Sequence, residues 1–140
     1  MLQGTEKIVG RPQYIEQLKK WQSQTDLIKI VTGVRRCGKS KLFSLYQFDL
    51  VVHKIADDSQ IININLEDRM LTQKIGLEYD KENFLTGYDK LLDYIVKHLD
   101  PKKMNYVFID EIQLLRDWQI AANTLRLQNN IDLYLTGSNA

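Results

Sequence analysis

A single cysteine, Cys37, excludes an intrachain disulfide framework and a multi-cysteine zinc site. No apolar run approaches the about 18 residues of a membrane span. The N-terminal stretch, MLQGTEKIVGRP, carries no apolar signal core. Nineteen basic residues against eighteen acidic ones leave a net charge of +1. Such a balance gives no overall footprint for nucleic acid or an anionic membrane, although a local patch is compatible with it. Two prolines and seven glycines leave little linker material, and there are no repeats or low-complexity runs. What is present is ordinary for a globular chain: 140 residues, 44% hydrophobic and 26% charged, enough for a core without staples. These absences predict a cytoplasmic protein with no internal domain boundary and no membrane partner.

Short apolar runs alternate with longer helical patterns. Residues 28–33, 60–66, 106–110 and 132–136 are rich in Ile, Val, Leu or aromatics and are bounded by Gly, Asp or Asn, which predicts four strands. Tyr14, Leu18 and Trp21 recur at helical spacing after Pro12, and Leu42, Leu45 and Tyr46 follow the first strand. A third helix is predicted from Phe84 through Tyr88, Leu91, Leu92 and Ile95 to Leu99, stopped by Pro101. A fourth carries Trp118, Ala121, Ala122 and Leu125. Strands alternating with helices imply crossover connections: a mostly parallel sheet with helices on both faces, hence an α/β fold. Residues 67–80 show no clear period and are expected to form a loop. His53 and His98 have no ligand-spaced companions and are expected at or near the surface.

Residues 33–40, Gly-Val-Arg-Arg-Cys-Gly-Lys-Ser, follow the first strand and open a helix. This G-x-x-x-x-G-K-S pattern is a phosphate-binding loop in the context it requires. Gly33 and Gly38 allow backbone N–H groups to turn onto a phosphate, and a helix beginning near Lys39 adds its positive end. Lys39 reaches β- and γ-phosphates, and Ser40 ligates Mg²⁺. Arg35 and Arg36 are either simply exposed or add charge against phosphate or a neighbouring subunit. Cys37 reads as a small filler. The whole run of Gly33, Val34, Arg35, Arg36, Cys37, Gly38, Lys39, Ser40 and Lys41 is assigned to the nucleotide.

The third strand runs straight into two acids, Tyr-Val-Phe-Ile-Asp-Glu (106–111). Ligands of open α/β sheets bind at the carboxyl ends of strands, where the loop also lies, so Asp110 and Glu111 are expected to meet Lys39. Asp110 would hold the Mg²⁺ shell, directly or through water, and Glu111 would act as general base on the attacking water. The fourth strand ends in Thr136, Ser138 and Asn139: a polar side chain there either touches a γ-phosphate and the attacking water or belongs to an ordinary Gly-Ser turn. Asparagine is disfavoured in strands. Asn65 therefore either hydrogen-bonds Glu111 and governs its readiness or caps the strand end, as Glu67 and Asp68 do or else extend an acidic rim.

Together these residues resemble an AAA-type P-loop ATPase of the additional-strand class, and more closely the prokaryotic (archaeal and bacterial) AAA family. Five segments carry the likeness: 9–18, Val-Gly-Arg-Pro-Gln-Tyr-Ile-Glu-Gln-Leu; the paired arginines of 33–40; Ile-Asn-Leu-Glu-Asp (64–68); Phe-Ile-Asp-Glu-Ile-Gln (108–113), similar to a Walker B segment; and Leu-Thr-Gly-Ser-Asn-Ala (135–140), similar to a sensor 1 segment. The resemblance implies a three-layer α/β/α P-loop NTPase sandwich with the fourth strand between the first and third. It implies ATP over GTP, with Mg²⁺ as cofactor, Val9 and Arg11 beside the adenine, and Ser138 or Asn139 as sensor 1. It also implies homo-oligomers with an arginine supplied in trans, for which Arg116 and Arg126 are candidates, a DNA or protein substrate, and a C-terminal region that often includes a nuclease-like domain. Residues 1–140 are thus expected to be the N-terminal part of one ATPase domain, truncated after the fourth core strand, with the loop-bearing strand at a sheet edge. Three functions fit: an ATPase, a nucleotide-gated switch with little turnover, and a phosphotransferase.

Overall fold

The computed structural model describes residues 11–32 and 36–137. In chain order they form α1 (Arg11–Lys20), β1 (Lys29–Val31), α2 (Arg36–Val52), β2 (Ile61–Asn65), α3 (Arg69–Ile75), β3 (Glu78–Tyr79), β4 (Leu85–Thr86), α4 (Tyr88–His98), β5 (Asn105–Asp110), α5 (Trp118–Arg126) and β6 (Ile131–Thr136). The central sheet has the order β1-β6-β5-β2, and every pair in it is parallel. The fourth core strand therefore lies between the first and third, as the resemblance implies. Among the described residues β1 is one edge and β2 the other.

Side chains alternate along each strand, so the sheet has two buried faces. Val107, Ile109, Leu133 and Leu135 point to the face covered by Leu91 and Ile95 of α4 and Ala122 and Leu125 of α5. Tyr106, Phe108 and Tyr134 point to the other, under Leu18 of α1 and Leu42, Phe43 and Tyr46 of α2. Aromatic packing holds that second layer: Phe43 meets Phe108 edge-on at 5.0 Å between centroids, and Phe108 stacks on Tyr134 at 4.7 Å.

At the amino ends of β1 and β6 the same layer buries charge. Lys29 and Asp132 form an ion pair with both side chains fully buried. The Lys29 ammonium also donates to the Gln24 carbonyl at 2.5 Å. Asp132 Oδ2 accepts from the Ser23 amide at 2.7 Å and from the Tyr134 hydroxyl at 2.7 Å. The Tyr134 and Tyr46 hydroxyls lie 2.9 Å apart. Burial pushes both phenols well above their ordinary pKa, so they remain protonated.

Segment 67–80 departs from the expected loop: it contains α3 and the first strand of the antiparallel β3–β4 hairpin. Asp68 caps α3, its Oδ1 accepting from the Met70 and Leu71 amides at 3.1 and 3.2 Å, and Gly76 closes it in the left-handed region at φ 102°. At seven residues the helix is too short to display a period. Phe84, expected at the start of the third helix, precedes β4, and α4 begins at Tyr88 after Gly87 at φ 103°. The second helix, α2, begins at Arg36 rather than near Lys39, which puts Gly38, Lys39 and Ser40 in its opening turns. His98 ends α4 and His53 lies just beyond α2, both exposed as expected.

Candidate functional site

The four core strands end in one row. Val31 pairs in register with Thr136, and Asn65 with Asp110, while Ile109 pairs with Leu135. The row across the carboxyl edge therefore runs Val31, Thr136, Asp110, Asn65. By strand alternation all four residues lie on the face that α2 covers. The first helical turn, with Arg36, Cys37, Gly38 and Lys39, starts five residues beyond Val31.

Within this row the acid pair is held by polar contacts. Asp110 is half-buried, and its Oδ1 accepts a hydrogen bond from Thr136 Oγ1 at 2.9 Å. Glu111 is only 3% exposed and adopts the left-handed conformation, φ 61° and ψ 49°. For a residue with a Cβ that conformation costs on the order of 1–3 kcal/mol and persists only where its surroundings impose it. Here the Glu111 amide donates to Thr136 Oγ1 at 3.1 Å, and Gln113 Nε2 donates to Glu111 Oε1 at 2.8 Å. A single 3₁₀ turn, Ile112–Leu114, follows, and the chain then reaches the hairpin. The Arg116 amide donates to the Leu85 carbonyl at 2.8 Å. Its guanidinium lies over the Phe84 ring, donating to Asp80 Oδ2 at 2.8 Å and to Glu82 Oε1 at 2.5 Å. The guanidinium holds the Asp80 carboxyl below the usual carboxylate range. Four residues, 112–115, thus separate the acid pair from a clamp on the β3–β4 hairpin.

A family described as "AAA domain" matches residues 25–140. The chain belongs to the AAA domain family. An uncharacterized protein of Haemophilus influenzae (strain ATCC 51907 / DSM 11121 / KW20 / Rd) is 34% identical over 133 residues, covering 95% of this chain and 30% of the relative. The chain therefore spans about a third of that relative's length. No solved structure matches. The AAA family and the all-parallel sheet together give a P-loop NTPase-like fold, and membership carries nucleotide binding of an ATPase-like kind.

Read as an AAA domain, the described residues bring Asp110 and Glu111 to the same sheet edge as the start of α2. Gly33, Val34, Arg35, Val9, Ser138 and Asn139 lie outside the described residues. Arg11 opens α1; Arg36, Cys37, Gly38, Lys39 and Ser40 open α2; Lys41, next along, is exposed. Asn65 is exposed, and its Oδ1 accepts from the Glu67 amide at 3.0 Å. Arg116 is committed within the chain, and Arg126 donates to Asn123 Oδ1 from Nε and Nη2 at 3.0 and 2.7 Å. Gln113 was not anticipated. It closes the 108–113 segment, but nothing in that run of residues points to its contact with Glu111.

The donor set suits a small hard cation. Half-buried Asp110 offers carboxylate oxygens, and Mg²⁺ takes one or two protein oxygens and keeps waters and substrate phosphates for the rest. Among the described residues no group of three or more His, Cys, Asp or Glu is arranged to hold a metal. None of their helices is long and apolar enough to cross a membrane.

Proposed function

We propose that the chain binds ATP with Mg²⁺ and hydrolyses it, driving a conformational change that acts on a DNA or protein partner. The observation that carries this reading is the acid pair at the carboxyl edge of an AAA-family sheet, in one row with the strand that leads to α2. In it residues 33–41 wrap the phosphates, Lys39 neutralises the β- and γ-phosphates, and Ser40 and Asp110 hold the cation. When bound, Mg²⁺ withdraws charge from the phosphate oxygens. Glu111 accepts the proton of the attacking water. Ser138 or Asn139 touches the γ-phosphate, and Val9 and Arg11 flank the adenine. Residues 1–140 form the N-terminal part of one ATPase domain, which assembles as a homo-oligomer in a longer cytoplasmic protein.

A nucleotide-gated switch is the second reading, favoured by the Gln113–Glu111 hydrogen bond at 2.8 Å, which restrains the base. Phosphate release separates the two. Hydrolysis predicts continuous release with Mg·ATP, abolished by chelation. A switch predicts no more than one phosphate per chain, and that result would replace the first reading. A phosphotransferase would need an added acceptor.

A further inference from the structure

Thr136 lies outside the phosphate-binding loop and the acid pair, yet its hydroxyl touches both acids. Its side chain is fully buried at the end of β6, a strand paired on both sides, by β1 and by β5. A threonine hydroxyl has one proton to give and lone pairs to receive, and its β-branch restricts χ1. Both capacities are used: Oγ1 donates to Asp110 Oδ1 at 2.9 Å and accepts from the Glu111 amide at 3.1 Å. The β5–β6 ladder ends with Ile109 against Leu135, so the Glu111 amide lies beyond its last pair. Thr136 Oγ1 replaces the ladder acceptor there. On the other side, the Asp110 carbonyl accepts from the Leu66 amide at 3.2 Å. The peptide between the two acids is thereby clamped from β6 and from the end of β2.

We propose that Thr136 is the positioning residue of the acid pair: its hydroxyl orients the Asp110 carboxylate toward the cation of a nucleoside triphosphate and fixes the left-handed turn that aims Glu111. The inference rests on the nucleotide reading above but concerns a residue outside residues 33–41 and the acid pair, whose hydroxyl is engaged by Asp110 and by the Glu111 amide. Two consequences separate it from a packing role. Losing the hydroxyl weakens the part of nucleotide affinity that depends on Mg²⁺ and leaves the Mg²⁺-free part alone. The conservative hydroxyl restores it.

The test compares wild type, Thr136→Val and Thr136→Ser by calorimetric titration with ATP, with Mg²⁺ and with chelator, and by amide exchange at Glu111 without nucleotide. Polar partners behind a metal ligand are worth about 10–100-fold in metal affinity or activity. T136V is therefore expected to lose about 10-fold or more of the Mg²⁺-dependent gain, with chelator affinity unchanged, and to exchange the Glu111 amide faster. T136S is expected to match wild type in both. An unchanged gain in T136V, or a loss that serine fails to restore, overturns the proposal. If wild type shows no nucleotide binding, the nucleotide reading falls. Exchange at Glu111 then decides the positioning role: faster in T136V upholds it, unchanged overturns it. Should T136V fail to fold, Thr136→Cys, a far weaker donor and acceptor, carries the same comparison against T136S.

Discussion

Glu111→Gln is expected to leave Mg·ATP binding within about twofold and to lower turnover by about 10²–10⁴-fold, the usual contribution of a general base. Glu111 is only 3% exposed, its amide is held by Thr136 and its Oε1 by the Gln113 amide at 2.8 Å. A carboxamide has the same shape and still offers a carbonyl oxygen to Gln113, so the turn is kept. What glutamine lacks is the ability to take a proton from water. Phosphate release measures the loss, and calorimetry measures the binding. Turnover unchanged in E111Q would remove Glu111 from the reaction; binding lost together with turnover would make it part of the nucleotide pocket instead.

Asp132→Ala is expected to destabilise the fold by about 3–5 kcal/mol, because it strands a buried ammonium. Lys29 is fully buried, and without Asp132 its remaining described oxygen partner is the Gln24 carbonyl. The Ser23 amide and the Tyr134 hydroxyl would also lose their acceptor. For a domain of this size the loss corresponds to a fall in melting temperature of roughly 10–17 °C. A double variant, Lys29→Met with Asp132→Asn, removes the stranded charge and keeps an acceptor for Ser23 and Tyr134. It is expected to recover most of the stability, since a buried pair replaced as a unit costs far less than one broken. Urea denaturation of both variants checks this. A single variant within about 1 kcal/mol of wild type would contradict the burial of the pair. Both residues sit at the amino ends of the strands, so the surviving folded protein should bind nucleotide normally.

The contrast between what the sequence displays and what it hides follows from the range of the interactions. The strands at 105–110 and 131–136 announce themselves through the apolar and aromatic runs that buried parallel strands need, and 61–65 through its three isoleucines despite Asn63 and Asn65. The phosphate-binding pattern and Asp110–Glu111 are legible because each sits directly after such a run, and sheet topology alone brings strand ends together. The row through Thr136 and Asp110 was accessible from that logic. Its chemistry was not, because hydrogen bonds from one hydroxyl to two residues depend on register. The Lys29–Asp132 pair joins residues 103 positions apart, and a lysine within a short strand gives no sign of a buried partner. Helix α3 is marked by its caps, Asp68 and Gly76, rather than by periodicity. The β3–β4 hairpin owes its position to Arg116, which finds Asp80 and Glu82 across more than thirty residues.

A single Mg·ATP site formed by residues 33–41 and the acid pair, as proposed, is tested most directly by titrating ATP into wild type and Lys39→Ala, each with Mg²⁺ and with chelator. Binding is expected to strengthen with Mg²⁺ in wild type. In K39A the expected affinity is about 10- to 100-fold weaker, the worth of charge-assisted bonds to phosphate. Equal affinities in the two proteins, or affinity in wild type indifferent to Mg²⁺, would contradict it.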